Sequence, residues 1–308
     1  MTIRTIVIAG PTASGKSALA LRLAEAVGGT IINADSMQVY SDLAIVTARP
    51  DAADLARAPH RLYGVLDAAE LCTAARWAEL ARQEIDAAAA AGRLPILCGG
   101  TGLYLRSLLY GIAPVPEIPD EVRQTARQRH AELGGAAFRD ELARLDPAGA
   151  ARIAVGDSQR LIRAYEVAAA TGRPLAEWQQ AQPPAPTGLD PLIFTLLPPR
   201  EALYAAIDAR FARMIAAGAV DEVRTLVARG LDPALPVMKA VGVPELAGYL
   251  SGDLTLDGSI SQAQQASRRY AKRQFTWFRH QMPAAQTLTE KYSESFIHKI
   301  CQIICKAT

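Results

Sequence analysis

The octapeptide Gly10-Pro11-Thr12-Ala13-Ser14-Gly15-Lys16-Ser17 constrains the fold of this chain more than any other segment. It fills every fixed position of G-x-x-x-x-G-K-[ST], after the β-branched run Thr5-Ile6-Val7-Ile8-Ala9 and before an alanine- and leucine-rich stretch. Such a loop needs a strand entering and a helix leaving. Its glycines let several backbone N–H groups face one point at the helix N-terminus, where a phosphate binds. Lys16 adds a positive charge there, and the Ser17 hydroxyl is placed to hold Mg²⁺. The chain is therefore expected to handle a phosphorylated substrate.

The surrounding pattern alternates strand and helix. Strands are expected over Arg4–Ala9, Thr30–Asn33 and Leu94–Cys98, and helices over Lys16–Val27, Ala74–Ala91 and from Gly102 to Tyr110. Short connections between them predict an α/β fold with a parallel, doubly wound sheet. Ligands collect beyond the carboxyl ends of such strands. The topology would therefore gather Gly10–Ser17, Asp35 and Gly99–Thr101 into one place. Three prolines within Pro114–Pro119 read as a stiff linker, and Asp120 to Gln182 carries only helical periodicity. A second cluster, Pro183-Pro184-Ala185-Pro186, closes that region before an apolar strand at Leu192–Leu197. Core segments over 1–114 and 191–308 flanking a helical insertion over 115–190 are expected.

A chain of 308 residues with half of them hydrophobic can bury a substantial core. Its net charge of +2 excludes a polycation, so contact with nucleic acid must come from a local patch. No secretory leader is expected, because Met1–Ala9 lacks a basic lead and runs straight into the phosphate loop, and no apolar run is long enough to span a bilayer. The four cysteines, Cys72, Cys98, Cys301 and Cys305, form no disulfide framework, consistent with a cytoplasmic protein. His298, Cys301 and Cys305 have helical spacing but lack a fourth metal ligand. An amphipathic helix with Phe296, Ile297, Ile300 and Ile304 is the better reading.

Asp35 ends the second strand and can serve as a general base, a Mg²⁺ ligand or a helix cap. Gly99 and Gly100 leave room for a substrate to approach the backbone, and Thr101 can cap the next helix or bond a substrate. Between Ser267 and His280 stand five basic side chains and no acid, interleaved with aromatics. Arg269, Lys272 and Arg273 there suit phosphate-backbone contact. Phe275 and Phe278 are expected to face inward.

Taken in order, these segments resemble the bacterial tRNA dimethylallyltransferase (tRNA isopentenyltransferase) family along nearly the whole chain. The matching signatures are Gly10–Ser17, Asp35–Tyr40, Thr47-Ala48-Arg49-Pro50, Gly99–Tyr104 with Arg106, and Asp157 with Arg160, Arg163 and Glu166. Arg210-Phe211 with Met214, Val241-Gly242 with Glu245, and Tyr270–Trp277 complete the set. Departures occur at Arg49, Arg61, Val243-Pro244 and Ser267, where the family favours lysine, histidine, an aromatic-basic pair and threonine.

The resemblance implies a fold like that of P-loop kinases, with an insertion that grips a tRNA anticodon stem-loop. It implies transfer of a dimethylallyl group from dimethylallyl diphosphate to N6 of adenine 37, in tRNAs that read codons beginning with U. It further implies a monomer. Asp35 would be the general base and Lys16 and Thr101 further catalytic groups, with Gly10–Ser17 (Gly10, Pro11, Thr12, Ala13, Ser14, Gly15, Lys16, Ser17) and Arg210 on the diphosphate. Asp35, Ser36, Met37, Gln38, Thr101, Arg123 and Gln159-Arg160-Leu161-Ile162-Arg163 match positions that contact tRNA. The rival reading is a small-molecule P-loop kinase using ATP.

Overall fold

The computed structural model describes residues 2–181, 188–282, 284–289, 297, 300 and 302. The proline cluster at 183–186 lies outside them, as do His298, Cys301, Cys305, Phe296 and Ile304; Ile300 is buried against the sheet and Ile297 partly so. The chain divides into two compact units, Met1–Leu109 with Pro186–Thr308, and Tyr110–Ala185. The helical unit thus begins five residues earlier than the proline pattern suggests.

The first unit runs β1 (Ile3–Ala9), α1 (Lys16–Val27), β2 (Gly29–Asn33), α2 (Ala52–Arg57), β3 (His60–Arg61), α3 (Ala74–Ala90), β4 (Leu94–Gly99) and α4 (Gly102–Tyr110). The second contains α5 (Asp120–Leu145), α6 (Pro147–Arg152), α7 (Ser158–Thr171) and α8 (Leu175–Gln180). The first unit then resumes with β5 (Leu189–Leu196), α9 (Arg200–Ala216), α10 (Ala219–Ala228), α11 (Val243–Leu250), α12 (Leu256–Gln281) and β6 (Gln286–Leu288).

Six parallel strands form one sheet in the order β3-β2-β4-β1-β5-β6. Both faces are covered, which is why β1 reads as a continuous apolar run rather than an alternating one. Ile6 and Ile8 pack with Phe194 against Leu19 and Leu23 of α1, while Val7 faces Trp77, Phe211 and Phe278 on the other side. The chain builds β2, β3 and β4 on one side of β1 and then crosses to β5 on the other. That reversal places a crevice at the carboxyl end of β1, where the phosphate loop leaves it. The edge strands β3 and β6 span two and three residues, too short for a periodic signal. β5 starts at Leu189, earlier than expected, because Pro191 near its beginning costs only one ladder hydrogen bond.

In the helical unit Phe138, Leu142, Leu161 and Ala164 form a small core of their own. Asp157 caps α7 by accepting the Arg160 N–H, and buried Asp146 caps α6 through the Gly149 N–H at 2.7 Å. At Gly134 the backbone leaves helical geometry with φ 72°, so α5 is kinked there. Among the described residues no helix is long and apolar enough to cross a membrane.

Candidate active site

The phosphate loop has the backbone that an anion cradle requires. Gly10 and Gly15 have φ of 154° and 90°, and Ala13 occupies the left-handed region at 62°. A Cβ on Gly10 would lie 2.6 Å from the Leu196 carbonyl oxygen, so only glycine fits. Gly15 has no side chain to cap α1, so first-turn N–H groups of that helix remain for a ligand. Ser14 Oγ is buried without a hydrogen-bond partner among the described atoms, a polar group that a phosphate oxygen would satisfy.

Three cations surround the loop. Lys16 Nζ donates to the Pro11 carbonyl at 3.3 Å, and Arg210 Nη2 donates to Thr12 Oγ1 at 2.6 Å. Arg213, one turn along α9, lines the same cleft. Burial lowers the pKa of Lys16 and of Arg210, and the Asp35 carboxylate opposes that shift in both. Lys16 keeps some exposed surface, yet its ammonium is deep enough for desolvation to dominate. These cations and Asp35 line a cleft of about 290 Å³ together with the loop.

Asp35 is held by its strand. The Asn33 side chain is buried; its Oδ1 accepts the Asp35 N–H at 2.8 Å, and its Nδ2 donates to the Asp35 and Leu62 carbonyls at 3.0 Å each. Trp77 Nε1 adds a bond to the Asn33 carbonyl. Asp35 Oδ1 accepts the Met37 N–H at 3.0 Å, which is a local turn and not a helix cap, and no described group bonds Oδ2. Carboxylate and cradle therefore share one cavity.

Thr101 sits beside this turn. Its Oγ1 accepts the Ser36 N–H at 2.9 Å, lies 3.2 Å from Ser36 Oγ, and also meets the Tyr270 hydroxyl. Its side chain caps no helix; it secures the Asp35–Ser36 turn. Gln38 Nε2 donates to the Thr47 and Ala48 carbonyls, leaving Oε1 as its available acceptor, while Met37 packs partly against the core. The loop over 44–46 is gripped by Glu222, whose carboxylate accepts three backbone N–H groups at 2.6–2.8 Å.

Gly99 and Gly100 correct one expectation. A Cβ on Gly99 would collide with the Ala34 backbone, and one on Gly100 with the Gln274 amide. Gly102 likewise accommodates the Trp277 ring. These glycines admit neighbouring protein, not substrate. Leu161 is a second correction: it is wholly buried in the helical core, so its side chain offers nothing to RNA. On the same helix Gln159 and Arg160 are exposed, Ile162 packs partly on the core, and Arg163 pairs with Glu166. Arg123 is half-buried and donates to the Ile118 carbonyl. On α12, Arg269, Lys272 and Arg273 are exposed while Phe278 is buried and Phe275 half-buried, as the pattern predicts. Val243 is buried at the start of α11, and Arg49 Nη1 donates to the Tyr40 carbonyl. Asn33 and Glu222 carried no sequence signal as site residues; Tyr270 and Gln274 lie within the Tyr270–Trp277 signature, but nothing in it assigned them to the site.

Ser17 is exposed at the mouth of the cleft, and no cluster of three or more His, Cys, Asp or Glu occurs among the described residues. A hydroxyl beside a phosphate cradle fits Mg²⁺, which keeps waters and takes substrate oxygens. It does not fit a metal that demands a full protein cage.

A parallel sheet with this loop and a carboxylate facing it gives the chain a P-loop-like layout, of the class that binds phosphate at the carboxyl end of its strands. The IPP transferase family model matches residues 38–281, and this chain belongs to that family. A tRNA dimethylallyltransferase from Rhodospirillum centenum is 56% identical over 282 residues, covering 91% of this chain and 90% of that one. The tRNA isopentenylpyrophosphate transferase of Bacillus halodurans superposes with a TM-score of 0.72 at 32% identity, over 99% and 96% of the two chains. A eukaryotic dimethylallyltransferase captured acting on tRNA gives a TM-score of 0.78 at 25% identity, over 99% and 80%. None of these relatives favours the ATP-dependent kinase reading.

Proposed function

We propose that this chain transfers a dimethylallyl group from dimethylallyl diphosphate to N6 of adenine 37 in tRNAs reading codons that begin with U, releasing diphosphate. One observation carries the mechanism: Asp35 and the phosphate loop line the same cleft. The N6 lone pair is delocalised into the ring, which makes the amine a weak nucleophile. Asp35 accepts its proton as it attacks the allylic carbon, and the C–O bond to diphosphate breaks. Negative charge then grows on the diphosphate, where the Gly10–Ser17 amides, Lys16 and Arg210 are already oriented. Thr101 holds the Asp35 turn and stands beside the incoming base. Mg²⁺ on Ser17, when bound, supplies Lewis-acid stabilisation of the leaving group. The adenine must leave its stack to reach the cleft.

In this reading Ser36, Met37 and Gln38 meet the flipped base or its neighbours. Arg123, Gln159, Arg160, Ile162 and Arg163 contact the anticodon stem-loop, and Arg269, Lys272 and Arg273 contact phosphates. The protein works as a cytoplasmic monomer. The test is incubation with labelled dimethylallyl diphosphate and an anticodon stem-loop, with and without Mg²⁺. Label is expected in the RNA only with metal present. ATP turnover with no label in RNA would overturn the reading.

A further inference from the structure

Helix α12 turns one polar side chain inward among apolar ones. Gln274 is 5% exposed, between Ala271 and Phe278, which are also buried. Its Oε1 accepts the Thr12 N–H at 2.8 Å, and its Nε2 donates to the Gly100 carbonyl at 2.8 Å. Thr12 belongs to the loop that grips the leaving group and is fixed a second time by Arg210. Gly100 precedes Thr101, whose hydroxyl fastens the turn carrying Asp35. A single amide thus joins the leaving-group segment to the segment that orients the base. The absence of a side chain at Gly100 is what lets the amide in. Packing alone would not call for it, since burying an amide costs more than burying a methionine of similar size unless both its ends are used.

We propose that Gln274 is a positioning residue for the transfer reaction described above: it sets the separation between the diphosphate cradle and the Asp35–Thr101 turn. It should therefore govern turnover and leave the affinity for either substrate nearly untouched. Displacement needs the reacting atoms about 3–3.5 Å apart and aligned, and a shift of about 1 Å costs roughly 100-fold. The bridge also demands one donor and one acceptor in a fixed sense. A glutamate carboxylate at 274 sets an anion against the Gly100 oxygen. Its protonated form restores the pattern, with O–H donating to Gly100 and C=O accepting from Thr12. Burial and the facing carbonyl both push such a carboxyl pKa upward.

Gln274→Met and Gln274→Glu, assayed beside the wild type with dimethylallyl diphosphate and an anticodon stem-loop, test this. Gln274→Met is expected to lower kcat by about 10- to 100-fold. Its KM for the diphosphate and its Kd for the stem-loop should stay within about threefold of wild type. For Gln274→Glu, the ratio of its kcat to that of wild type should climb at least about fivefold from pH 8 to pH 6. A kcat for Gln274→Met within about twofold of wild type overturns the proposal, as does a loss shared equally by kcat and both affinities. If the methionine variant does not fold, the glutamate variant decides alone, and a pH-independent ratio counts against the bridge. Failure of the wild type to transfer would instead overturn the function proposed above.

Discussion

In the α/β unit, Arg210, Glu222 and Gln274 each bond a segment 174 or more residues away along the chain. In the helical unit, Arg160, Arg163 and Arg173 pair with carboxylates three or four residues along. The contrast follows burial. Around the cleft the polar groups are partly or wholly dehydrated, so each needs a defined partner, and distant strands and helices become locked together. On the helical unit the Arg160 and Arg173 pairs stand in water, where an ion pair contributes little, while Arg163 reaches a buried carboxylate on Glu166. One region is tied together across the chain, the other mostly along its own helices.

Asp35→Ala should strike that distinction hardest. Transfer is expected to fall about 10²- to 10⁴-fold while stem-loop affinity is largely spared. Single-turnover transfer and a binding titration read the two effects, and equal loss of both would assign Asp35 a structural role. Phe138→Ala hollows the small core of the helical unit, at a cost of about 3–5 kcal/mol. Limited proteolysis should then cut within residues 110–185 while the α/β unit survives. Cleavage spread evenly over both would mean the units do not behave separately.

Glu222→Gln removes the charge that three loop N–H groups share, and should cost about 1.5–3 kcal/mol. Protease sensitivity over 41–49 should rise before global unfolding; an unchanged loop would break the view that the cleft is wired from afar. His60 offers a gentler probe. Burial lowers its folded pKa below the ordinary value of 6.5, so the unfolded chain binds the proton more readily. Stability is therefore lost as pH falls from 6.5 toward the folded value, and His60→Gln should flatten that slope in denaturant titrations. The smallest effect on stability belongs to Arg160→Ala, because that side chain is 79% exposed. Melting should barely move, while stem-loop affinity weakens and its salt dependence drops by about one charge.

Legibility in the sequence followed the range of the interaction that shapes each element. The span of α1 and the phosphate loop could be read directly, because glycine spacing, a β-branched run and helical periodicity are local signals. Asp35 emerged once parallel topology was inferred, since strand ends converge. The reason for Gly99, Gly100 and Gly102 could not be read. A glycine in sequence does not reveal whether a ligand or another helix needs the space, and here the neighbours are Ala34, Gln274 and Trp277. Leu161 shows the same limit from the other side, for a helix motif does not say which of its residues turns inward.

The sequence by itself determined the anion cradle, the parallel sheet that presents it, and an acid at the neighbouring strand end, because each rests on backbone geometry within a few residues. Only the tertiary structure decided how far apart those pieces stand and what holds them there. Asn33, Glu222, Tyr270 and Gln274 are recruited by contact across the fold, and a buried hydrogen bond leaves no periodic trace in the chain that forms it.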